Sequence, residues 1–152
     1  MTRILMVCLG NICRSPLAHG LLESKLPADR FTVDSAGTSN YHVGDAPDPR
    51  SITTGRKHKI DISNQRGQQL NAGHLEQFDL IYVMDNSNYR NTVKLAQDDE
   101  QRAKVHLILN EIFPGENLDV PDPYHGTGDQ FERVYQMLDQ ATDVISARLL
   151  EK

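Results

Sequence analysis

Ile4-Leu5-Met6-Val7-Cys8-Leu9-Gly10-Asn11-Ile12-Cys13-Arg14-Ser15-Pro16 is the stretch from which the fold can be read. Its apolar run predicts a buried strand over Arg3–Cys8, and Leu9-Gly10-Asn11 predicts a turn after it. Ser15 suits an N-cap and Pro16 the first helical position. Ala18, Leu21, Leu22 and Leu26 then share one helical face, and Pro27 stops the helix. A strand, a glycine-containing loop and a helix in succession open an α/β unit.

The same alternation continues outward. Phe31–Ser35 reads as a second strand, ending at Ala36-Gly37, and a polar loop runs from Thr38 to Arg50. Ser51–Lys59 is a weakly amphipathic helix. Leu80–Met84 is a third strand, followed by the capping cluster Asp85-Asn86-Ser87, and Val105–Leu109 is a fourth. A loop rich in Pro, Gly and Asp spans Pro114–Gly128. Phe131, Val134, Tyr135, Leu138, Ala141, Val144, Ile145 and Leu149 then form a helical stripe. The expected fold is an α/β three-layer sandwich, with a central, mostly parallel four-stranded sheet and helices on both faces. A chain of 152 residues suits a single domain over its whole length, 1–152. Sheets of this kind bind ligands at the carboxyl ends of their strands, which is where Cys8 falls.

Composition narrows the function. A formal net charge of −5 provides no basic surplus for nucleic acid. No apolar run is long enough to span a bilayer, so no membrane association is expected. No charged-then-apolar signal segment precedes the strand, so the expected location is cytoplasmic. Two cysteines are too few for a disulfide framework. His19, His42, His58, His74, His106 and His125 are scattered and form no paired motif with a cysteine, so no metal is expected.

The first loop carries chemistry. Cys8 and Arg14 are separated by five residues, between a strand and a helix start. Five residues can wrap so that successive N–H groups point inward and make a nest for an anion. The expected feature is a phosphate loop after strand 1. Gly10 permits a positive φ or a close backbone approach. The helix N-terminus adds partial positive charge, and the Arg14 guanidinium matches two oxygens of a phosphate. These positive features favour a thiolate at the base of such a loop, and a thiolate is the nucleophile. Ser15 is placed to donate its hydroxyl to that sulfur, and Asn11 to hold the loop in shape. A cysteine ending a buried strand is, taken alone, a small core residue. The combination with glycine, arginine and the helix start is what points to a reaction. Cys13 reads equally as a buried small residue or as a redox partner of Cys8.

Val7-Cys8-Leu9-Gly10-Asn11-Ile12-Cys13-Arg14-Ser15-Pro16 closely resembles the active-site signature of the low-molecular-weight protein tyrosine phosphatases, in a bacterial-type member. The resemblance extends in order through Asp34-Ser35-Ala36-Gly37-Thr38, Pro47-Asp48-Pro49-Arg50, Phe78–Asp85 and Val120-Pro121-Asp122-Pro123-Tyr124. It implies that Asp122, stiffened between two prolines, is the general acid. It also implies an aromatic wall of Tyr41 and Tyr124 around a phosphotyrosine ring, with Leu9 and Ile12 flanking the phosphate loop. Cys8 would attack phosphorus and Asp122 would protonate the leaving oxygen. Arg14 and the loop amides would hold the remaining oxygens, with no cofactor or metal. The implied partners are a phosphotyrosine-containing protein, with a bacterial tyrosine kinase as a family-level expectation, and phosphate or other oxyanions.

Two departures stand out. His125 follows Tyr124 where the family often has a second aromatic. Gln65 stands where the family often has a histidine supporting the loop asparagine, and it is expected to reach Asn11. Arsenate reduction is an alternative, but no cysteine lies beyond Cys13 to pass oxidation outward. A cysteine phosphocarrier is another, but it would need neither Asp122 nor the aromatic wall.

Overall fold

β1 (Thr2–Cys8) alternates its side chains between two cores, and that alternation organises the molecule. The computed structural model describes residues 1–151. On one face of the sheet, Ile4, Met6 and Cys8 pack with Leu17, Leu21 and Leu22 of α1 (Arg14–Lys25) and with Tyr135, Leu138 and Ile145 of α6 (Gly128–Leu150). On the other face, Leu5 and Val7 join Ile81 and Val83 of β3 (Leu80–Val83). That second core also takes Leu75 of α3 (Ala72–Gln77) and Tyr89 of α4 (Asn86–Val93).

The sheet has four strands in the order β2-β1-β3-β4, with β2 at Phe31–Gly37 and β4 at Val105–Leu107. All three pairings are parallel, so the sheet is wholly rather than mostly parallel. β1 is flanked by β2 on one side and β3 on the other, which makes its carboxyl end the switch point where ligands bind in such sheets.

Element boundaries differ from the sequence reading where side chains have other work. α1 starts at Arg14 with Cys13 as N-cap, and no side chain caps it. Ser15 is inside the helix because its hydroxyl is bonded to Cys8 and Asn11 instead. α2 runs over Pro49–Lys57, because the Asp48 carboxylate caps it by accepting from Arg50 N–H. β4 ends at Leu107 and the chain tightens into a 3-10 turn at Ile108–Glu111. Three short helices escape hydrophobic patterning: α3, α4 and α5 (Asp99–Arg102). Their N-caps are Asn71, Asp85 and Asp98. Among the described residues, no helix is long and apolar enough to cross a membrane.

Candidate active site

Cys8 closes β1, and the backbone from Leu9 to Cys13 folds back over its sulfur. Asn11 N–H donates to Cys8 Sγ at 3.3 Å, and Ser15 Oγ lies 3.0 Å from the same sulfur. Asn11 Nδ2 donates to Ser15 Oγ at 2.8 Å, while Asn11 Oδ1 accepts from Gln68 N–H at 3.1 Å. Those two partners fix the orientation of the Asn11 amide. Because Ser15 Oγ accepts from Asn11, its own hydrogen is left to point at the sulfur. Asn11 adopts φ 57°, a left-handed conformation that asparagine tolerates better than most residues. The glycine that the loop requires for close approach is Gly37 on β2. A Cβ there would sit 2.8 Å from Leu9 O and 3.1 Å from Asn11 N.

The loop leads directly into α1. With no side-chain cap, the first N–H groups of α1 remain available to an anion beside Cys8. Arg14, only 2% exposed, reaches across the sheet end. Its Nη1 donates to Asp85 Oδ2 at 2.8 Å and to Val120 O at 2.9 Å. Burial pulls the guanidinium pKa down, but Cys8 and Asp85 outweigh it and leave the net shift upward, so Arg14 stays cationic.

Asp122 lies opposite, its Oδ2 3.7 Å from Arg14 Nη2 and its side chain 43% exposed. Tyr124 N–H donates to Asp122 Oδ1 at 3.1 Å. The loop that carries Asp122 is tied down by Arg50, which donates to Tyr124 O at 2.8 Å and Gly126 O at 3.2 Å. The same guanidinium grips Asp48 through Nε–Oδ1 at 3.0 Å and Nη2–Oδ2 at 2.9 Å, and lies over the Phe131 ring. Hydrogen bonding to Arg50 holds the Asp48 carboxyl below the ordinary carboxylate range. Asp48 N–H donates to Ile12 O at 2.8 Å, so one chain of contacts joins the phosphate loop to the Asp122 loop.

Cys8, Leu9, Arg14, Tyr41, Asp122 and Tyr124 line a single cleft of about 360 Å³. Gly10, Ile12 and Cys13 complete its floor, while Asn11 and Ser15 are buried behind it. The structure therefore places Cys8, Arg14, Asp122 and the loop and cleft residues together, lining this cleft or buried directly behind it. Tyr41 is 75% exposed and Tyr124 41%, so the two rings stand as rims rather than packed walls. His125 lines the same cleft and meets Tyr124 edge-on. Cys13 is a buried free thiol, pushed up to about 12 first by desolvation and then by the charges of Asp48 and Cys8.

One expectation fails. Gln65 does not reach Asn11, and its Nε2 donates to Pro16 O at 3.1 Å. The segment supports Asn11 through the Gln68 backbone, which lies beside β2 because Gly37 N–H donates to Gln68 O. Sequence reasoning also missed Asp85, Asp48 and Arg50 as site residues. Their signals were a capping cluster and a proline-flanked loop, both within stretches that carry the family resemblance. Among the described residues, no group of three or more His, Cys, Asp or Glu side chains is arranged for a metal.

The sequence model of the family described as "Low molecular weight phosphotyrosine protein phosphatase" matches residues 3–152. The chain belongs to this family. The phosphatase is 38% identical over 141 residues to the low-molecular-weight phosphotyrosine protein phosphatase of Schizosaccharomyces pombe, covering 90% of this chain and 89% of that one. It superposes on a protein tyrosine phosphatase from Entamoeba histolytica with a TM-score of 0.92 and 29% identity, covering 99% and 98% of the two chains. It also superposes on Vibrio vulnificus Wzb, solved in complex with benzylphosphonate, with a TM-score of 0.87, 31% identity and coverage of 97% and 98%.

Proposed function

We propose that the phosphatase hydrolyses phosphotyrosine in proteins through a phosphocysteine on Cys8, the whole chain 1–152 acting as one domain. The observation that carries this is the convergence of four things on one cleft: the Cys8 sulfur, the uncapped start of α1, the Arg14 guanidinium and the Asp122 carboxyl. The Cys8 thiolate attacks phosphorus in line. As the P–O bond breaks, Asp122 passes its proton to the leaving phenolic oxygen. Arg14 and the loop amides hold the non-bridging oxygens where charge gathers. Asp122, now a carboxylate, takes a proton from water, the water oxygen bonds to phosphorus, and the P–S bond breaks to return the thiolate and inorganic phosphate.

The aryl group is received between Tyr41 and Tyr124. The benzylphosphonate complex of Vibrio vulnificus Wzb supports that reading, since the ligand joins an aromatic ring to a phosphate-like group. Asp122 within the cleft favours hydrolysis over a phosphocarrier, which needs no proton donor. We place the activity in the cytoplasm, where a nucleophilic thiol such as Cys8 is kept reduced.

Turnover of aryl phosphates with good and poor leaving groups, in wild type, Cys8→Ser and Asp122→Ala, tests the mechanism. Cys8→Ser should abolish turnover, and Asp122→Ala should slow phenyl phosphate far more than dinitrophenyl phosphate. Turnover retained in Cys8→Ser would overturn the covalent step. Equal losses on both esters would remove Asp122 as the acid.

A further inference from the structure

A second cavity, of about 520 Å³, adjoins the catalytic cleft, and Leu9 and Tyr41 line both. Leu70 and Leu95 give it an apolar lining. Ser39, Asn40, Gln69 and Asn91 add polar lining. Among the described residues, Lys94 is the only charged one lining it, and it forms no ion pair. In a chain of net charge −5, a depression with a single cation and no carboxylate is a local reversal of sign.

We propose that this cavity seats the polypeptide flanking the phosphotyrosine, with an apolar side chain over Leu70 and Leu95 and an acidic side chain against Lys94. The proposal rests on the reading of the site as a phosphotyrosine-protein phosphatase. Continuity carries it: a chain leaving the cleft past the Leu9–Tyr41 boundary enters this depression directly. In an extended chain, residues two or three positions from the phosphotyrosine lie roughly 7–11 Å away, beyond the reach of a simple aryl phosphate. Charge complementarity selects the occupant, since an acidic flank is repelled by the net charge of the protein and attracted only locally by Lys94. Lys94 also sits where a cation favours the carboxyl end of α4, and that alone would make it indifferent to substrate.

The test compares phosphotyrosine peptides that differ only in acidic, neutral or lysine flanks, with p-nitrophenyl phosphate as a control that cannot reach the cavity. Wild type should prefer the acidic peptide, and added salt should erode that preference. Lys94→Glu should lower kcat/KM for the acidic peptide about three- to tenfold, mainly through KM, and improve the lysine-flanked peptide. Lys94→Gln should fall between, and p-nitrophenyl phosphate turnover should not change. Asn91→Asp, an exposed change in the same lining, should shift the preference in the same direction. An acidic-to-neutral ratio unchanged in both Lys94→Glu and Asn91→Asp would overturn the proposal and leave the phosphatase reading standing. If no phosphotyrosine peptide is turned over while p-nitrophenyl phosphate is, both fail together.

Discussion

Replacing Asp85 separates two roles that one carboxylate performs. Its Oδ1 accepts from Asn88 N–H at 2.7 Å and caps α4, while its Oδ2 accepts from Arg14 Nη1 at 2.8 Å. Asp85→Asn keeps an oxygen for the cap, since asparagine caps helices as well as aspartate. It puts a neutral amide against a buried guanidinium whose remaining fixed partner is the Val120 carbonyl. A hydrogen bond to a charged group contributes about 1.5–3 kcal/mol. On the proposed mechanism that energy aims Arg14 at phosphate, so its loss should weaken inhibition by inorganic phosphate about tenfold to a hundredfold. Asp85→Ala should show the same loss and, with the cap also gone, unfold about 1 kcal/mol more easily than Asp85→Asn. Phosphate inhibition constants and urea unfolding of both variants measure the two effects separately. If Asp85→Asn bound phosphate as wild type does, Val120 alone would suffice to aim Arg14 and the reasoning would fail.

Arg50→Ala should slow esters with poor leaving groups more than those with good ones, because it frees the loop that carries Asp122, and Arg50→Lys should restore part of the difference. In an Asp122→Ala background the Arg50 effect should largely vanish. Gly37→Ala should impair turnover and cost about 1–3 kcal/mol, because its Cβ would press on the backbone of Leu9 and Asn11; a fully active variant would show that the loop can move aside. His74 is held below its ordinary value of 6.5 mainly by burial, and its neutral Nδ1 accepts from Asn71 N–H. Its contribution to stability is therefore complete above that pH and declines as pH falls below it. Urea midpoints should drop between pH 7 and 5 in wild type and less in His74→Gln. Peroxide should inactivate wild type reversibly, with dithiothreitol restoring turnover, and Cys13→Ser irreversibly. That outcome would make Cys13, whose thiol burial pushes up to about 12, the partner that closes on an oxidised Cys8 rather than the first thiol oxidised.

What could be read directly from the chain was local. β1, the loop from Cys8 to Arg14 and the stripe of α6 declare themselves within a few turns of sequence, because burial and turn chemistry act over that range. The Arg14–Asp85 contact joins residues 71 apart, and Arg50 reaches carbonyls 74 and 76 positions away. Only the packed sheet brings such pairs together, and no spacing rule anticipates them. α3, α4 and α5 are four to eight residues long, with one or two core-facing apolar residues at most in α3 and α4, so patterning passes over them while their Asn and Asp caps mark where they start. Ser15 misled the helix start for a physical reason: a hydroxyl spent on Cys8 is unavailable as a cap. Gln65 misled because backbone, not side chain, supports Asn11.

The absence of a side-chain cap on α1 also links catalysis to folding. On the proposed mechanism the anion that the site turns over satisfies amides which another helix would satisfy with serine or aspartate. Product then acts as a chaperoning ligand as well as an inhibitor. At phosphate concentrations a hundred times its dissociation constant, the native state gains about 2.7 kcal/mol over the unfolded chain. Unfolding free energies of this phosphatase should thus rise with the logarithm of phosphate, and a free energy measured in phosphate buffer describes a tighter molecule than one measured without it.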